Sequence, residues 1–259
     1  MTVTVEQFIK EAEVLEGPVL TFYLRTSPHN EEWKIVLKNG LNRTKEYVEA
    51  ANEEDVSLFE RIRKEVERAV RDQQRHFKNG LIGVANSEHV QLLTTQPPVR
   101  DEFHWEAQAM LRQLKELTEA YPKTGLVFVQ REYIVLLDVL LGELVEEDAY
   151  ELNVDTNDWV RYKGLAYGGI ISSSANHRDV FESRMKEQEK QWYRQVAPKV
   201  AKHAKDKGWE EVYIVGAKQL TDLFQQEVPK MNVTKVINHN YASKSSAEMI
   251  DRVLLSTDE

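Results

Sequence analysis

The sequence predicts an α/β protein with two domains, an α+β amino-terminal domain over residues 1–122 and an α/β domain over residues 123–259. In the first half, one strand pattern precedes two helices, two strands and a further helix. In the second half, strands alternate with helices, which indicates a mixed sheet flanked by helices. Between the halves, the segment PKTG at residues 122–125 ends a helix and precedes a new apolar run, as is typical of a domain boundary.

The amino-terminal domain begins with a short amphipathic pattern that Gly17 ends. β-branched and aromatic residues then predict a buried strand, and apolar residues spaced by three and four predict two helices with an acidic, exposed connection. In order, the predicted elements are a helix before Gly17, a strand over residues 18–26, helices over 31–52 and 56–77, strands LIGVAN and HVQLLTT, and a helix over about 106–121.

The second domain opens with three apolar or alternating runs that predict a strand meander. A long helix follows, which we expect to be broken or bent at Pro198, because proline lacks an N–H and clashes with the preceding turn. In order, the predicted elements are strands GLVFVQ, EYIVLLDVL and LGELVEEDAYEL, the long helix ended by Gly208, strand EVYIVGA, helix KQLTDLFQQEV, strand MNVTKVINHN, and a helix over 245–255 capped by Ser243 or Ser245.

A loop rich in glycine and serine, KGLAYGGIISSSANHRD at residues 163–179, leads directly into the long helix. Residues 178–207 include nine basic and five acidic side chains, although the formal net charge of the chain is −9. Arg178 lies at the helix start, where the helix dipole disfavours a cation, which suggests a contact with external phosphates. Three further cations are four residues apart and share one helix face, namely Lys186, Lys190 and Arg194. This face is either an ordinary solvated surface or a surface for nucleic acid.

The composition excludes several classes of protein. The chain has no cysteine, so it can form no disulfide, thiolate nucleophile or cysteine-containing zinc site. It has no apolar run of about 20 residues, and we expect a cytoplasmic protein without a membrane partner. The net charge of −9 argues against a protein that coats nucleic acid indiscriminately, and no DNA partner is expected.

Motifs of common enzymes are missing from the sequence. The seven histidines are scattered and form no HxxxH or HExxH pair, so no metal site is predicted. The sequence has no Gly-x-Ser-x-Gly elbow, and no Walker loop or GxGxxG follows a strand, so no cofactor is expected. Residues 172–174 are serines that could supply a nucleophile, but serines in loops are typically solvated.

The second half resembles the central domain of the archaeo-eukaryotic peptide-chain release factor superfamily, which includes Pelota. The strongest stretch is FESRMKEQEKQWYRQVAPKVAKHAKDKGWEEVYIVGAKQLTDLF, with an aromatic-Arg-x-Val-Ala pattern that starts at Tyr193. The stretches PVLTFYLRT, NGLIGVANSEHVQLL and FHWEAQAML are similar to the amino-terminal domain of that family. The chain therefore resembles a two-domain bacterial member, and the resemblance implies a central domain with an RNase-H-like mixed sheet.

The loop differs from the family pattern, in which a Gly-Gly-Gln tip enters the peptidyl-transferase centre and positions a water molecule. No Gly-Gly-Gln is present. An ungapped count places residues 174–176 at the tip, and a longer loop would place residues 168–170 there. The resemblance implies catalytic candidates Asn176 and His177, loop-tip residues Gly168, Gly169, Ser174 and Ala175, and RNA-binding residues Arg178, Lys186, Lys190 and Arg194.

Codon-reading members carry an Asn-Ile-Lys-Ser tip between two helices of the first domain. Here the connection is ANEED at residues 51–55, which is acidic and should repel messenger phosphates. We therefore expect no stop-codon reading.

Three functional hypotheses remain open from the sequence. The first is a ribosome-associated factor that binds ribosomal RNA and peptidyl-tRNA near the A site and the peptidyl-transferase centre, in ribosome rescue, quality control or hibernation. The second is an active peptidyl-tRNA hydrolase with a non-standard loop. The third is an adaptor that uses the same fold for protein contacts alone.

Overall fold

The computed structural model describes residues 4–27, 30–153, 158–164, 182–228, 231–241 and 244–255, with the side chains of 182–188 excepted. The chain divides into two compact units, Met1–Ala120 and Tyr121–Glu259. Each unit has its own sheet, and both sheets are flanked by helices, which confirms the predicted α/β class.

Unit 1 is built on a four-stranded antiparallel sheet in the order β3-β2-β1-β4. Helices α2 and α3 pack on one face through an apolar core that includes Phe22, Leu41 and Phe59. On the other face, the Tyr23 hydroxyl donates to the carbonyl of Met110 at 2.8 Å. The elements are α1 Val5–Glu13, β1 Val19–Arg25, α2 Glu32–Ala51, α3 Val56–Gln73, β2 Gly80–Ala85, β3 Val90–Thr95, β4 Glu102–Glu106 and α4 Arg112–Ala120.

Unit 2 is built on a six-stranded mixed sheet in the order β10-β9-β5-β6-β7-β8. Strands β10, β9 and β5 are parallel, and β5 to β8 form an antiparallel meander. The elements are β5 Thr124–Val129, β6 Tyr133–Leu140, β7 Glu143–Asn153, β8 Asp158–Lys163, α5 Glu182–Lys207, β9 Glu211–Gly216, α6 Lys218–Gln226, β10 Lys235–Ile237 and α7 Ser246–Ile250, which continues as a π-helical turn over Asp251–Leu255.

The sheet of unit 2 lies between two apolar layers. One face packs against α5 and α6 through a core that includes Val127, Tyr193 and Phe224. The other face packs against α7 through Phe128 and Met249. A capping box at Ser245 starts α7, so the second of the two predicted caps is the correct one.

Three local predictions were wrong, and of the break or bend expected at Pro198 the break is absent. The helix predicted from Glu106 begins at Arg112. Glu106 itself is the last residue of a strand that was not predicted, β4 over Glu102–Glu106. Strand β8 was not predicted, and the strand expected over MNVTKVINHN is limited to Lys235–Ile237. Helix α5 continues through Pro198 without a break. Because proline has no N–H, the carbonyl of Arg194 lacks its usual donor in the helix. Both residues are exposed, so water can donate to this carbonyl instead.

Candidate nucleic-acid interface

Helix α5 has a buried side and a basic exposed side. The buried side contacts the sheet through Trp192, Val196 and Val200, which follow one another at four-residue steps and so lie on one side of the helix. Gly208 ends the helix with a φ of +67°, a left-handed conformation that glycine adopts without strain. The N–H of Trp209 then donates to the carbonyl of Ala204 at 3.0 Å and satisfies one of the last carbonyls.

The exposed side has a uniform charge over four turns. From Lys190 to Lys205 the sequence contains five basic residues and no acidic residue. Arg194, Lys202 and Lys205 are eight and eleven residues apart, so they project from the same side of the helix. These side chains are exposed, whereas Lys190 is half-buried at the edge of this side. We call Lys190, Arg194, Lys202 and Lys205 the basic face of α5.

Three cations of this helix are paired with carboxylates from elsewhere in unit 2, and one of them is Lys207, which contacts Glu146. The Nε of Arg194 donates to Oε2 of Glu227 at 3.1 Å. The Nζ of Lys199 lies 3.5 Å from Oδ1 of Asp158. For Lys190, Lys202 and Lys205, the described residues provide no carboxylate within 4.0 Å. Among the described cations of α5, these three ammonium groups can meet an external phosphate without breaking an ion pair to a described residue.

A buried charged cluster holds α5 against strands β7 and β8. Asp148 is 1% exposed, and its Oδ2 accepts from Nη2 of Arg161 at 2.9 Å. The same guanidinium lies 3.1 Å from Nδ1 of His203. Because a guanidinium can only donate, Nδ1 accepts and the imidazole proton is on Nε2. Burial lowers the pKa of His203, since it disfavours the charged form, and Arg161 acts in the same direction against the opposing effect of Asp148.

Two further buried carboxylates lie on α5 or contact Trp209, two residues beyond its end. Near the start of the helix, Oε1 of Glu189 lies 2.6 Å from Nε of Arg131. Beyond its end, Nε1 of Trp209 donates to Oδ1 of Asp138 at 3.0 Å. Burial raises the pKa of Asp138, although Lys123 and Trp209 favour its charged form. The helix is thus fixed by buried polar contacts at three levels along its length.

Strand β8 is connected to α5 by side-chain hydrogen bonds. The indole N–H of Trp159 donates to the carbonyl of Trp192 at 3.1 Å. Trp159 of β8 contacts Trp192 of α5, and Arg161, further along β8, contacts His203, further along α5. The strand and the helix therefore run in the same direction. The chain therefore leaves β8 beside the later turns of α5.

A model of bacterial archaeo-eukaryotic release factor family 5 matches residues 122–255, slightly more than half of the chain. The chain belongs to this family. The family-5 match covers the strands and helices of unit 2, including α5 and its buried cluster. The chain is also similar to the uncharacterized protein YocB of Bacillus subtilis (strain 168), with 25% identity over 248 residues, 93% of this chain and 94% of the relative.

The chain is also similar to solved structures at low sequence identity. One described as an archaeal protein has 12% identity and a TM-score of 0.35, and the match covers 97% of this chain and 74% of the other. The archaeal translation termination factor aRF1 has 11% identity and a TM-score of 0.34, with 96% and 72% covered.

The residues predicted from the sequence fall into two groups. The catalytic candidates Asn176 and His177 lie outside the described residues, as do Gly168, Gly169, Ser174, Ala175 and Arg178. Of the predicted RNA-binding residues, Lys186 lies within α5, and Lys190 and Arg194 are placed on its basic face. Lys202 and Lys205 were not predicted, although their spacing from Arg194 is a helical repeat that could have identified them.

Several other expectations concern the described residues. The connection between α2 and α3 contains a short 3₁₀ turn over Glu53–Asp55, and Glu53 and Glu54 are exposed, as predicted. Glu147 of β7 accepts a hydrogen bond from the Ser246 hydroxyl at 2.7 Å. In the part of the chain that the structure describes, no group of three or more histidine or acidic side chains could hold a metal ion. Over the same residues, no helix combines the length and apolarity that crossing a membrane requires.

Proposed function

We propose that this family-5 protein is a ribosome-associated translation factor that places the basic face of α5 against ribosomal RNA near the A site and the peptidyl-transferase centre. It acts in ribosome rescue, quality control or hibernation rather than in stop-codon reading. The observation that supports this proposal most directly is the exposed side of α5, with five basic residues and no acidic residue from Lys190 to Lys205.

Net charge and local charge differ in a way that favours a specific RNA contact. A chain of net charge −9 is repelled by nucleic acid as a whole, so binding requires a local cationic surface. The contacts of Glu189 with Arg131 and of His203 with Arg161 hold the helix in place, so that conformational entropy is lost on binding mainly by the cationic side chains. The remaining surface disfavours RNA and thereby restricts the orientation of the complex.

The α2–α3 connection supports the absence of codon reading. Its exposed carboxylates at Glu53 and Glu54 would face messenger phosphates if unit 1 entered a decoding site. Asn52 accepts from the N–H of Glu54 at 3.3 Å and fixes this turn.

Co-sedimentation with ribosomes tests the RNA-facing assignment. The triple variant Lys190→Gln, Lys202→Gln, Lys205→Gln removes three cations that have no ion pair among the described residues, so its thermal stability should be unchanged. We expect its affinity for ribosomes to fall at least about tenfold at moderate salt. The slope of log affinity against log salt should fall by about one for each lysine that contacts a phosphate.

A matched control is available on α3 of unit 1. Arg61, Lys64 and Arg68 are exposed cations at a comparable helical spacing. Their replacement by glutamine changes the net charge by the same amount and should leave ribosome affinity within about twofold of the wild type. Equal losses in both triple variants would mean that the net charge of the chain, and not the α5 surface, sets the affinity.

The hydrolase hypothesis rests on Asn176 and His177 and requires a separate assay. On stalled ribosome complexes, peptide release that is lost in Asn176→Ala supports an active peptidyl-tRNA hydrolase. Absence of release by the wild type, with ribosome binding retained, removes that hypothesis and leaves the docking function intact.

A further inference from the structure

Strand β4 of unit 1 is an edge strand with one free side. It is the last strand in the order β3-β2-β1-β4, and its register pairs it with β1 from Val19↔Glu106 to Tyr23↔Glu102. Within the described residues, no other strand pairs with it. An edge of this kind presents backbone N–H and C=O groups that can pair with another extended chain.

A cleft of about 580 Å³ runs along this free edge, between β4 and helix α2. We call it the α2–β4 cleft; its lining includes Val36, Arg43, Tyr47, Phe103, Trp105 and Glu106. Val36 and Tyr47 are eleven residues apart on α2, a rise of about 16 Å. Asp101 and Glu106 span about 17 Å of extended chain. The two walls therefore match in length and suit an extended segment of about five or six residues.

The side chains of the cleft offer both an apolar anchor and a charge. Tyr47 is 57% exposed, and tyrosine is enriched at binding hot spots because it combines apolar area with a polar tip. Asp101, Glu102 and Glu106 supply three carboxylates to a lining in which Arg43 is the only lysine or arginine. The charge of Glu102 is partly compensated, since Nε of Arg100 lies 3.7 Å from its Oε1 and Nε2 of His104 lies 3.3 Å from its Oε2.

The carboxylates of the α2–β4 cleft indicate which kind of segment can bind there. Carboxylates along an edge strand oppose pairing with a second copy of the same strand, because like charges on adjacent strands repel. The same carboxylates favour a segment that contains lysine or arginine. A helix beside an edge strand is the arrangement in which peptides bind by adding a strand to a sheet.

We propose that the α2–β4 cleft binds an extended, lysine- or arginine-containing peptide segment, which adds to β4 as a fifth strand of the unit 1 sheet. The backbone of the segment pairs with the free edge of β4, an apolar side chain contacts Tyr47, and a cationic side chain reaches Glu106. This inference does not depend on the proposed contact of α5 with RNA.

The test uses the full chain and a fluorescein-labelled heptapeptide that alternates lysine with valine. Fluorescence anisotropy should show saturable binding with a Kd of about 100 μM or below. An analogue with proline in place of each valine retains the charge but loses backbone donors, and it should bind at least about tenfold more weakly. Hydrogen exchange of the β4 amides should slow in the presence of the first peptide alone.

Two pairs of variants locate the site. Tyr47→Ala should weaken binding about tenfold, whereas Ile35→Ala should change it less than about twofold. Ile35 is the matched control because it is 64% exposed on the same helix and does not line the cleft. Glu106→Lys should weaken binding about tenfold, and Glu53→Lys, an equal charge change outside the cleft, should have a much smaller effect.

Three results would overturn the proposal. The first is no saturable binding up to about 1 mM peptide. The second is equal binding of the proline analogue, which would reduce the interaction to charge alone. The third is a dimer in sedimentation equilibrium that Tyr47→Ala dissociates, which would assign the cleft to a second copy of the chain.

Discussion

The two units bury different kinds of polar side chain. In the described part of unit 1, every buried polar residue is uncharged: Thr21, Thr26, Thr44, Asn86, Thr95 and Gln113. In the described part of unit 2, four carboxyl or imidazole side chains are buried: Asp138, Asp148, Glu189 and His203. Glu189 and His203 lie on α5, Asp148 pairs with Arg161 beside His203, and Asp138 accepts from Trp209, two residues after the helix.

This difference shows where unit 2 requires a defined geometry. Burying a charged group has a desolvation penalty that an ion pair only partly offsets, so such groups are poor general stabilisers. They do penalise any arrangement in which the partners separate, because each would then be buried without its counterion. We infer that the buried charges in unit 2 fix the position of α5, whereas the neutral polar groups of unit 1 satisfy backbone N–H and C=O groups.

The largest expected effect distinguishes these two kinds of buried group. Asp148→Ala leaves Arg161 and His203 without their anion and should lower the free energy of unfolding of unit 2 by about 2–3 kcal/mol. We place it below the usual range for a buried pair because Arg161 is 37% exposed and can turn towards water. Thr44→Val in unit 1, whose hydroxyl donates to the carbonyl of Gly40, should cost about 1 kcal/mol or less.

Urea denaturation, monitored by hydrogen exchange of the amides in each unit, measures the free energy of unfolding of the two units separately. A loss in Asp148→Ala no larger than the loss in Thr44→Val would contradict the special role of the charged cluster.

The next effect compares two buried tyrosines, one in each unit. Tyr23 donates to the carbonyl of Met110 and accepts from the N–H of Leu114 at 3.4 Å, whereas Tyr193 donates to the carbonyl of Gln130 at 3.0 Å. Burial raises the pKa of Tyr23 to about 12. Tyr23→Phe should cost about 1.5 kcal/mol and Tyr193→Phe about 1 kcal/mol, measured by urea denaturation. A reversed order would mean that the second contact of Tyr23 contributes nothing.

A smaller effect concerns ribosome affinity. Arg194→Gln should weaken binding by less than about threefold, because its guanidinium is already paired with Glu227. Glu227→Gln should strengthen binding by a similar factor, since it removes one negative charge beside the guanidinium of Arg194. Co-sedimentation of the two variants with ribosomes measures both changes. Opposite signs are required, and a loss in both would indicate that the Arg194–Glu227 pair acts through structure.

The smallest effect is a pH dependence of unit 2. The pKa of His203 is lowered in the folded chain, so protons bind preferentially to the unfolded chain. The stabilising contribution is complete above about pH 6.5 and is lost as the pH falls through the folded-state pKa. Stability should therefore decline more steeply below about pH 6.5 in the wild type than in His203→Gln. Parallel curves would mean that His203 is protonated equally in both states.

Strong local patterns allowed much of the fold to be predicted from the sequence. Helices α2, α3 and α5 and strands β1, β5 and β9 each show a clear period or a continuous apolar run. Strand β4 was missed although Phe103 and Trp105 alternate, because its five residues adjoin a segment with helical spacing. In β8, Trp159 is the one buried residue, so this edge strand shows no alternation.

The site could be predicted only where it depends on helical spacing. Lys190 and Arg194 of the basic face are four residues apart, and they were therefore predicted. The buried cluster joins Asp148, Arg161 and His203, which are far apart in the sequence and meet only through the pairing of β7 with β8 and the packing of α5. Neither composition nor periodicity indicates such a contact.

A density map of the protein bound to ribosomes tests the central claim most directly. We predict that the exposed side of α5, with Lys190, Lys202 and Lys205, faces RNA of the large subunit near the peptidyl-transferase centre. A map in which the protein is bound while this side of α5 faces solvent would contradict the proposed function.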